Sequence, residues 1–232
     1  DCDITAGQYN IPFRGVAGRV EVNKKGFSSK HIDAKCYGGH VEGTLSVETE
    51  TEPYLYRGEM NFSRVELKDI IQKVADPENT WSGKLSGNII FQGKGTDTNS
   101  ICADGQVQID EGYLSDVPIV LSVFNILNLS IPKKESFRNA QINFNVKDGI
   151  VNVEKGRLYS DTVELIGRGT VKLTGDIDIK VVAGFSKDFF SEIPLVGKIF
   201  DFVVGGVRKQ LTMGEINGTF SKPESKSLAF KP

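Results

Sequence analysis

Between Trp81 and Leu173 the chain alternates apolar and polar residues in short segments that recur about every ten to twelve positions, a spacing typical of turn-linked strands, and keep returning to glycine. Gly83-Lys84-Leu85-Ser86-Gly87-Asn88-Ile89 is the barest instance. Successive side chains of a strand point to opposite faces, so a period of two specifies a sheet with one oily side and one wet side. A slip of one residue would turn every apolar side chain to water, so the register is strongly specified.

The same parity can be followed through the whole chain. Val16, Gly18, Val20 and Val22 align, then Ile32, Ala34, Cys36 and Gly38, with His31, Asp33 and Lys35 on the other side. Gly38-Gly39 marks a hairpin, answered by Val41, Gly43, Leu45 and Val47, and beyond an acidic turn by Tyr54, Tyr56, Gly58, Met60 and Phe62. In the central series Leu85, Ile89 and Phe91 share a face, as do Val107 and Ile109 with Ala103 and Gly105, and Ile142, Phe144 and Val146 with Ala140. Val163, Leu165, Val171 and Leu173 continue on a segment that Gly167 and Gly169 allow to bend, and Ile216, Gly218 and Phe220 mark a last strand. The spacings predict about ten to twelve antiparallel strands in a meander, as one domain over residues 1–222 followed by a polar, frayed tail over 223–232.

Three segments break the period. Val65, Leu67, Ile70, Ile71 and Val74 sit at helical spacing and predict a short amphipathic helix from Arg64, stopped by Asp76-Pro77. Pro118 to Leu129 reads as a helix headed by Asp116; Ser122, Asn125 and Asn128 give it one thin polar stripe, and Val120, Val123, Phe124 and Leu127 require cover. From Phe189 to Leu211 a third helical stretch carries Ile199, Phe200 and Val203 but is interrupted by Pro194, Gly197, Gly205 and Gly206.

Composition narrows the function by exclusion. The formal net charge is -2, from 28 basic and 30 acidic residues, which leaves no electrostatic footprint for nucleic acid or an anionic surface. Cys2, Cys36 and Cys102 are too widely spaced for a zinc site and permit at most one disulfide. His31 and His40 are the only histidines and lie outside any metal or triad context. Asp104, Asp110 and Glu111, like Asp176 and Asp178, fall on the polar face or in turns, where solvated charge is the expectation rather than a glycosidase pair. The chain is expected to be no enzyme and to hold no cofactor or metal. The longest uncharged run, Val117 to Pro132, is shorter than the ~20 apolar residues of a spanning helix, so any membrane anchor is expected outside this chain.

An apolar sheet face can be sealed as half of a β-sandwich, whose sheets pack about 10 Å apart, or left as the lining of a groove. Gly83, Gly87, Gly93, Gly105, Gly167 and Gly169 lie on the apolar face itself, where missing side chains permit strong curvature or leave room for a ligand. The expected fold is therefore mainly β, a long curved antiparallel meander forming a groove, with a few inserted amphipathic helices.

The order of Trp81-Ser82-Gly83, Phe91-Gln92-Gly93-Lys94-Gly95, Gly112-Tyr113-Leu114-Ser115-Asp116-Val117-Pro118, an apolar helix, Asp148-Gly149-Ile150-Val151, Ile166-Gly167-Arg168-Gly169, Ile193-Pro194-Leu195-Val196-Gly197-Lys198 and Gly218-Thr219-Phe220 resembles the C-terminal region of AsmA-like proteins. The similarity covers roughly Gly58 to Pro223, with residues 81–221 corresponding to that region. The resemblance implies a periplasmic β-groove protein held at the inner membrane by a segment absent here, which conducts phospholipid or supports outer-membrane biogenesis. Acyl chains would then lie against Leu85, Ile89, Phe91, Val107, Ile109, Ile142, Phe144, Val146, Val163, Leu165, Val171 and Leu173. The alternative is a periplasmic assembly module with a closed β core that docks an envelope protein. Neither reading involves nucleic acid.

Overall fold

The computed structural model describes residues 2–6, 9–74, 77–78, 80–113, 117, 120–122, 139–160, 164–184, 212–219 and 222–228. Its strands are β1 (Cys2–Ala6), β2 (Ile11–Asn23), β3 (Gly26–Cys36), β4 (Gly39–Glu48), β5 (Leu55–Glu66), β6 (Ser82–Lys94) and β7 (Cys102–Tyr113). They continue as β8 (Asn139–Lys147), β9 (Ile150–Tyr159), β10 (Glu164–Lys172), β11 (Asp176–Gly184), β12 (Thr212–Thr219) and β13 (Lys222–Leu228). All thirteen form one sheet in chain order. At about 4.8 Å per strand it measures about 58 Å from edge to edge along its surface. Among the described residues β1 pairs only with β2 and β13 only with β12, so the sheet is open at both edges and does not close into a barrel.

Turn chemistry drives the meander. Tyr37 and Gly38 take φ of 42° and 74°, and Asp148 and Gly149 take 53° and 72°. Positive φ at both central residues belongs to the two-residue turns whose twist matches that of the flanking strands. Register then keeps the apolar parity together: Phe62 faces Gly87, Gly87 faces Val107, Val107 faces Ile142, Ile142 faces Gly156, Gly156 faces Gly167 and Gly167 faces Val181. Bulges between Phe62 and Val65, Ser82 and Lys84, Asn143 and Phe144, and Gly167 and Gly169 bend the sheet without breaking that parity overall. At the first of these Arg64 sits at φ 53° and its N–H donates to Ser86 Oγ at 3.0 Å.

A meander sends alternate connections to opposite edges of the strands, and here the two edges differ. The connections over 24–25, 49–54, 95–101, 148–149 and 173–175 are short and form a turn rim. The connections over 67–81, 114–138 and 185–211 all leave from the other edge, which we call the helix rim because α1 (Leu67–Val74) begins there. The strand over-runs the expected start of that helix: Arg64 to Glu66 belong to β5, where the Glu66 N–H donates to the Tyr37 carbonyl at 3.0 Å. Leu67 packs with Val120, Ala140, Leu165, Val181 and Ala183, and Ile71 and Leu85 lie against the same cluster. A second cluster joins Cys36, Val41, Phe62 and Val65.

Two strands lie beyond the traced alternation. Cys2–Ala6 forms β1, and Lys222–Leu228, most of it in the tail expected to fray, forms β13 against β12 from Thr219↔Lys222 to Met213↔Leu228. Ladder hydrogen bonding suffices to order a polar segment that offers no core residues. Leu173 lies in the β10–β11 turn and is 53% exposed.

Ile216 is wholly buried, whereas Ile90, on the opposite face, is 55% exposed. Ile216→Ala is expected to lower stability by about 2–5 kcal/mol through lost burial and a cavity, and Ile90→Ala to change it by less than about 0.5 kcal/mol. Denaturant unfolding of the two variants checks the contrast.

Candidate functional site

The apolar parity is the one continuous surface that every strand from β3 to β11 contributes to. Its middle is built by Met60, Ile89, Phe91, Val107, Ile142, Phe144, Val146, Val151 and Val153, all only partly buried. Cover increases along the sheet. Val20 and Val22 on β2 are 60% and 78% exposed, whereas Ile177, Ile179, Val181 and Ile216 on β11 and β12 are buried. Cover also increases across the strands, since Phe62, Val65, Ala140 and Leu165 near the helix rim are buried while Phe91 and Val146 near the turn rim are half-exposed.

The glycines on this face do not leave the room expected of them. A Cβ on Gly87 would lie 2.9 Å from Phe62 Cζ, one on Gly58 2.8 Å from Phe91 Cζ, and one on Gly105 2.7 Å from Phe144 Cζ. One on Gly93 would strike the Tyr56 hydroxyl. In each pair an aromatic ring from the neighbouring strand lies down over the glycine, the cross-strand arrangement that rescues a glycine in a sheet. Rings laid flat give a thin apolar floor, where upright rings would fill the concavity. Gly83 is likewise closed by Ile109 Cγ2 at 2.7 Å, and Gly169 by Ile179 Cα at 2.7 Å. Only Gly156 and Gly167 of the central series keep ordinary space, their nearest atoms standing at 3.6 Å and 3.5 Å.

Of the expected lining residues, Leu85, Ile89, Phe91, Val107, Ile109, Ile142, Phe144, Val146 and Val171 stand on this face and are partly exposed. Leu165 stands on it but is buried in the cluster with Leu67 and Val120. Val163 lies outside the described residues, as do Val123, Phe124, Leu127, Ile199, Phe200 and Val203 of the expected apolar helices. Val120 is described; it is buried on the helix-rim half of the face, where the Leu121 N–H donates to the Val117 carbonyl at 3.0 Å. Residues that the sequence did not single out as lining but that complete the floor are Met60, Phe62 and Tyr56. Their signal was present in the parity of β5, which pairs directly with β6.

At the turn rim the floor ends in aromatics. The Tyr54 and Tyr56 ring centroids are 6.3 Å apart, and those of Tyr56 and Phe91 6.5 Å. Burial pushes the Tyr56 hydroxyl above its ordinary value, with Tyr54 and Asp97 adding to the shift, so it stays protonated and neutral. The opposite face carries the polar parity, with the Gln108 amide donating to Asp110 and Arg157 Nε donating to buried Glu164 Oε1 at 2.8 Å, except at β10 and β11, where Ile166 and Val182 are buried on it. A cleft of about 670 Å³ there is lined by Lys30, Arg57, Glu59, Gln92 and Asp104 among others. No group of three His, Cys, Asp or Glu side chains among the described residues could hold a metal. All three cysteines are free, Cys2 exposed and Cys36 buried.

An open meander with one apolar face, inserted helices on one rim and this order of motifs meets a family profile over residues 26–162, more than half of the chain. The chain belongs to the AsmA family. The match begins upstream of Gly58 and takes in β3 to β5; it stops before Ile166-Gly167-Arg168-Gly169, Ile193-Pro194 and the last four strands. This AsmA-family membership fits proteins of the cell envelope and lipid transport, generally non-enzymatic. Neither a curated protein nor a solved structure matches the chain significantly.

Gly105→Ala must displace the Phe144 ring or the strand beneath it and is expected to cost about 1–3 kcal/mol. Gly156→Ala is expected to be neutral or to stabilise by up to about 1 kcal/mol; thermal or denaturant unfolding distinguishes them. Burial also pushes the Cys36 thiol up, which keeps it protonated. A thiol reagent at neutral pH should therefore modify Cys2 rapidly and Cys36 only after unfolding. Mass spectrometry of the labelled peptides reads both.

Proposed function

We propose that this AsmA-family chain is a non-enzymatic lipid-binding or lipid-conduit module. It acts in the periplasm of a double-membrane envelope, is held at the inner membrane by a segment outside this sequence, and supports phospholipid transport or outer-membrane biogenesis. The observation that carries the reading is the single apolar parity maintained across successive strand pairs and only partly buried from β5 to β9. Contiguous apolar surface on this scale marks a binding site for apolar matter rather than ordinary protein surface.

The physics of transfer is modest. Each methylene removed from water gains about 0.8 kcal/mol, so an acyl chain prefers the floor to solvent by a wide margin. Floor and bilayer are similarly apolar, so exchange between them is close to neutral, and direction follows supply or an external energy source. No covalent step is required.

Purified protein is expected to carry phospholipid extractable with organic solvent, and to take up a fluorescent lipid when stripped. Ile142→Asp with Phe144→Asp, which places two carboxylates on the floor, should reduce uptake at least tenfold while far-ultraviolet circular dichroism keeps its β signature. A lipid-free preparation that also fails to take up the probe overturns the reading.

A further inference from the structure

We propose that an acyl-chain lipid lies on this face with its chains along the strands, its headgroup at the turn rim beside Tyr54 and Tyr56, and its chain ends toward α1 at the helix rim. The inference rests on the lipid reading above and adds its orientation.

The two rims offer different surroundings to a lipid. At the helix rim the floor runs into apolar cover: Phe62 and Val65 are buried, Leu67 shares one buried cluster with Leu165 and Ala183, and Ile71 and Leu85 pack against that cluster. A charged headgroup pressed against those apolar side chains would lose its water at a cost of several kcal/mol. At the turn rim the strands are joined by short turns, and the floor ends at Tyr54, 41% exposed, and Tyr56. Tyrosine suits such a boundary because its ring is apolar and its hydroxyl takes a wet partner.

Dimensions agree. From Phe91 to Leu85 the apolar stretch of β6 covers six residue steps, about 20 Å at strand rise, close to the ~15 Å occupied by one leaflet of a ~30 Å hydrocarbon core. A chain laid along the strand fits between the tyrosines and α1. The turn rim also mixes its charges, with Lys94 near Asp97, Lys147 next to Asp148, and Lys172 paired to Asp176 at 3.3 Å. Orientation therefore comes from the boundary between water and floor, and does not depend on headgroup charge.

Two photo-reactive phosphatidylcholines test this with the whole chain, one carrying its reactive group in the headgroup and the other at the chain terminus. The headgroup probe is expected to label peptides containing Tyr54, Tyr56 or Lys94 at least fivefold over those containing Leu67 or Ile71, and the terminal probe the reverse. A phosphatidylglycerol version of the headgroup probe should give the same map with yields within twofold. Reversed maps, equal labelling of both rims by each probe, or extractable lipid with no labelling of either rim overturns the orientation and leaves the lipid reading standing. A preparation that holds no lipid and takes up neither probe overturns both.

Discussion

Everything distinctive in this molecule depends on antiparallel register preserved from strand to strand. Each pair places equal parities opposite one another, so an alternation written locally in separate segments from β3 to β11 becomes one surface. Had a bulge reversed parity between β6 and β7, Leu85, Ile89 and Phe91 would lie on the face opposite Val107 and Ile109. The bulges present instead shorten or lengthen one strand locally, bend the sheet, and hand the parity on. Curvature and continuity come from the same devices.

The pairing of glycine with a flat aromatic ring sets the depth of that surface. Phe62 over Gly87, Phe91 over Gly58 and Phe144 over Gly105 place a large apolar area close to the backbone, where three upright rings would seal the concavity. The gradient of burial follows from what is laid on top. α1 and the residues near Val120 close the helix rim, and β11 and β12 are buried on this face, so the accessible floor lies at β5 to β9 near the turn rim.

Much of this was legible in the residues. The parity of Leu85, Ile89, Phe91, Val107, Ile142 and Phe144, the hairpin at Gly38 and the short helix ending at Val74 could be read because each signal is local. β1 and β13 escaped because polar segments such as Lys222–Leu228 have no apolar rhythm, and their order derives from backbone pairing with a neighbour. The role of the glycines also escaped. A glycine on an apolar face reads as empty space until the neighbouring strand is known, and here that strand supplies the ring that fills it. Leu173 was misplaced for a simpler reason, since parity continues in the alphabet of the sequence after the strand itself has turned.

By itself the sequence determined that the chain makes strands, which side chains share a face, and where helices interrupt them, because side-chain periodicity is a property of neighbouring residues. Only the tertiary structure decided that all thirteen strands, β1 and β13 included, join one sheet, that the connections over 114–138 and 185–211 leave from the same edge as α1, and that the floor is covered at one side and open at the other. Those outcomes depend on contacts between residues far apart in the chain, and no local pattern encodes which of two surfaces a distant segment will cover.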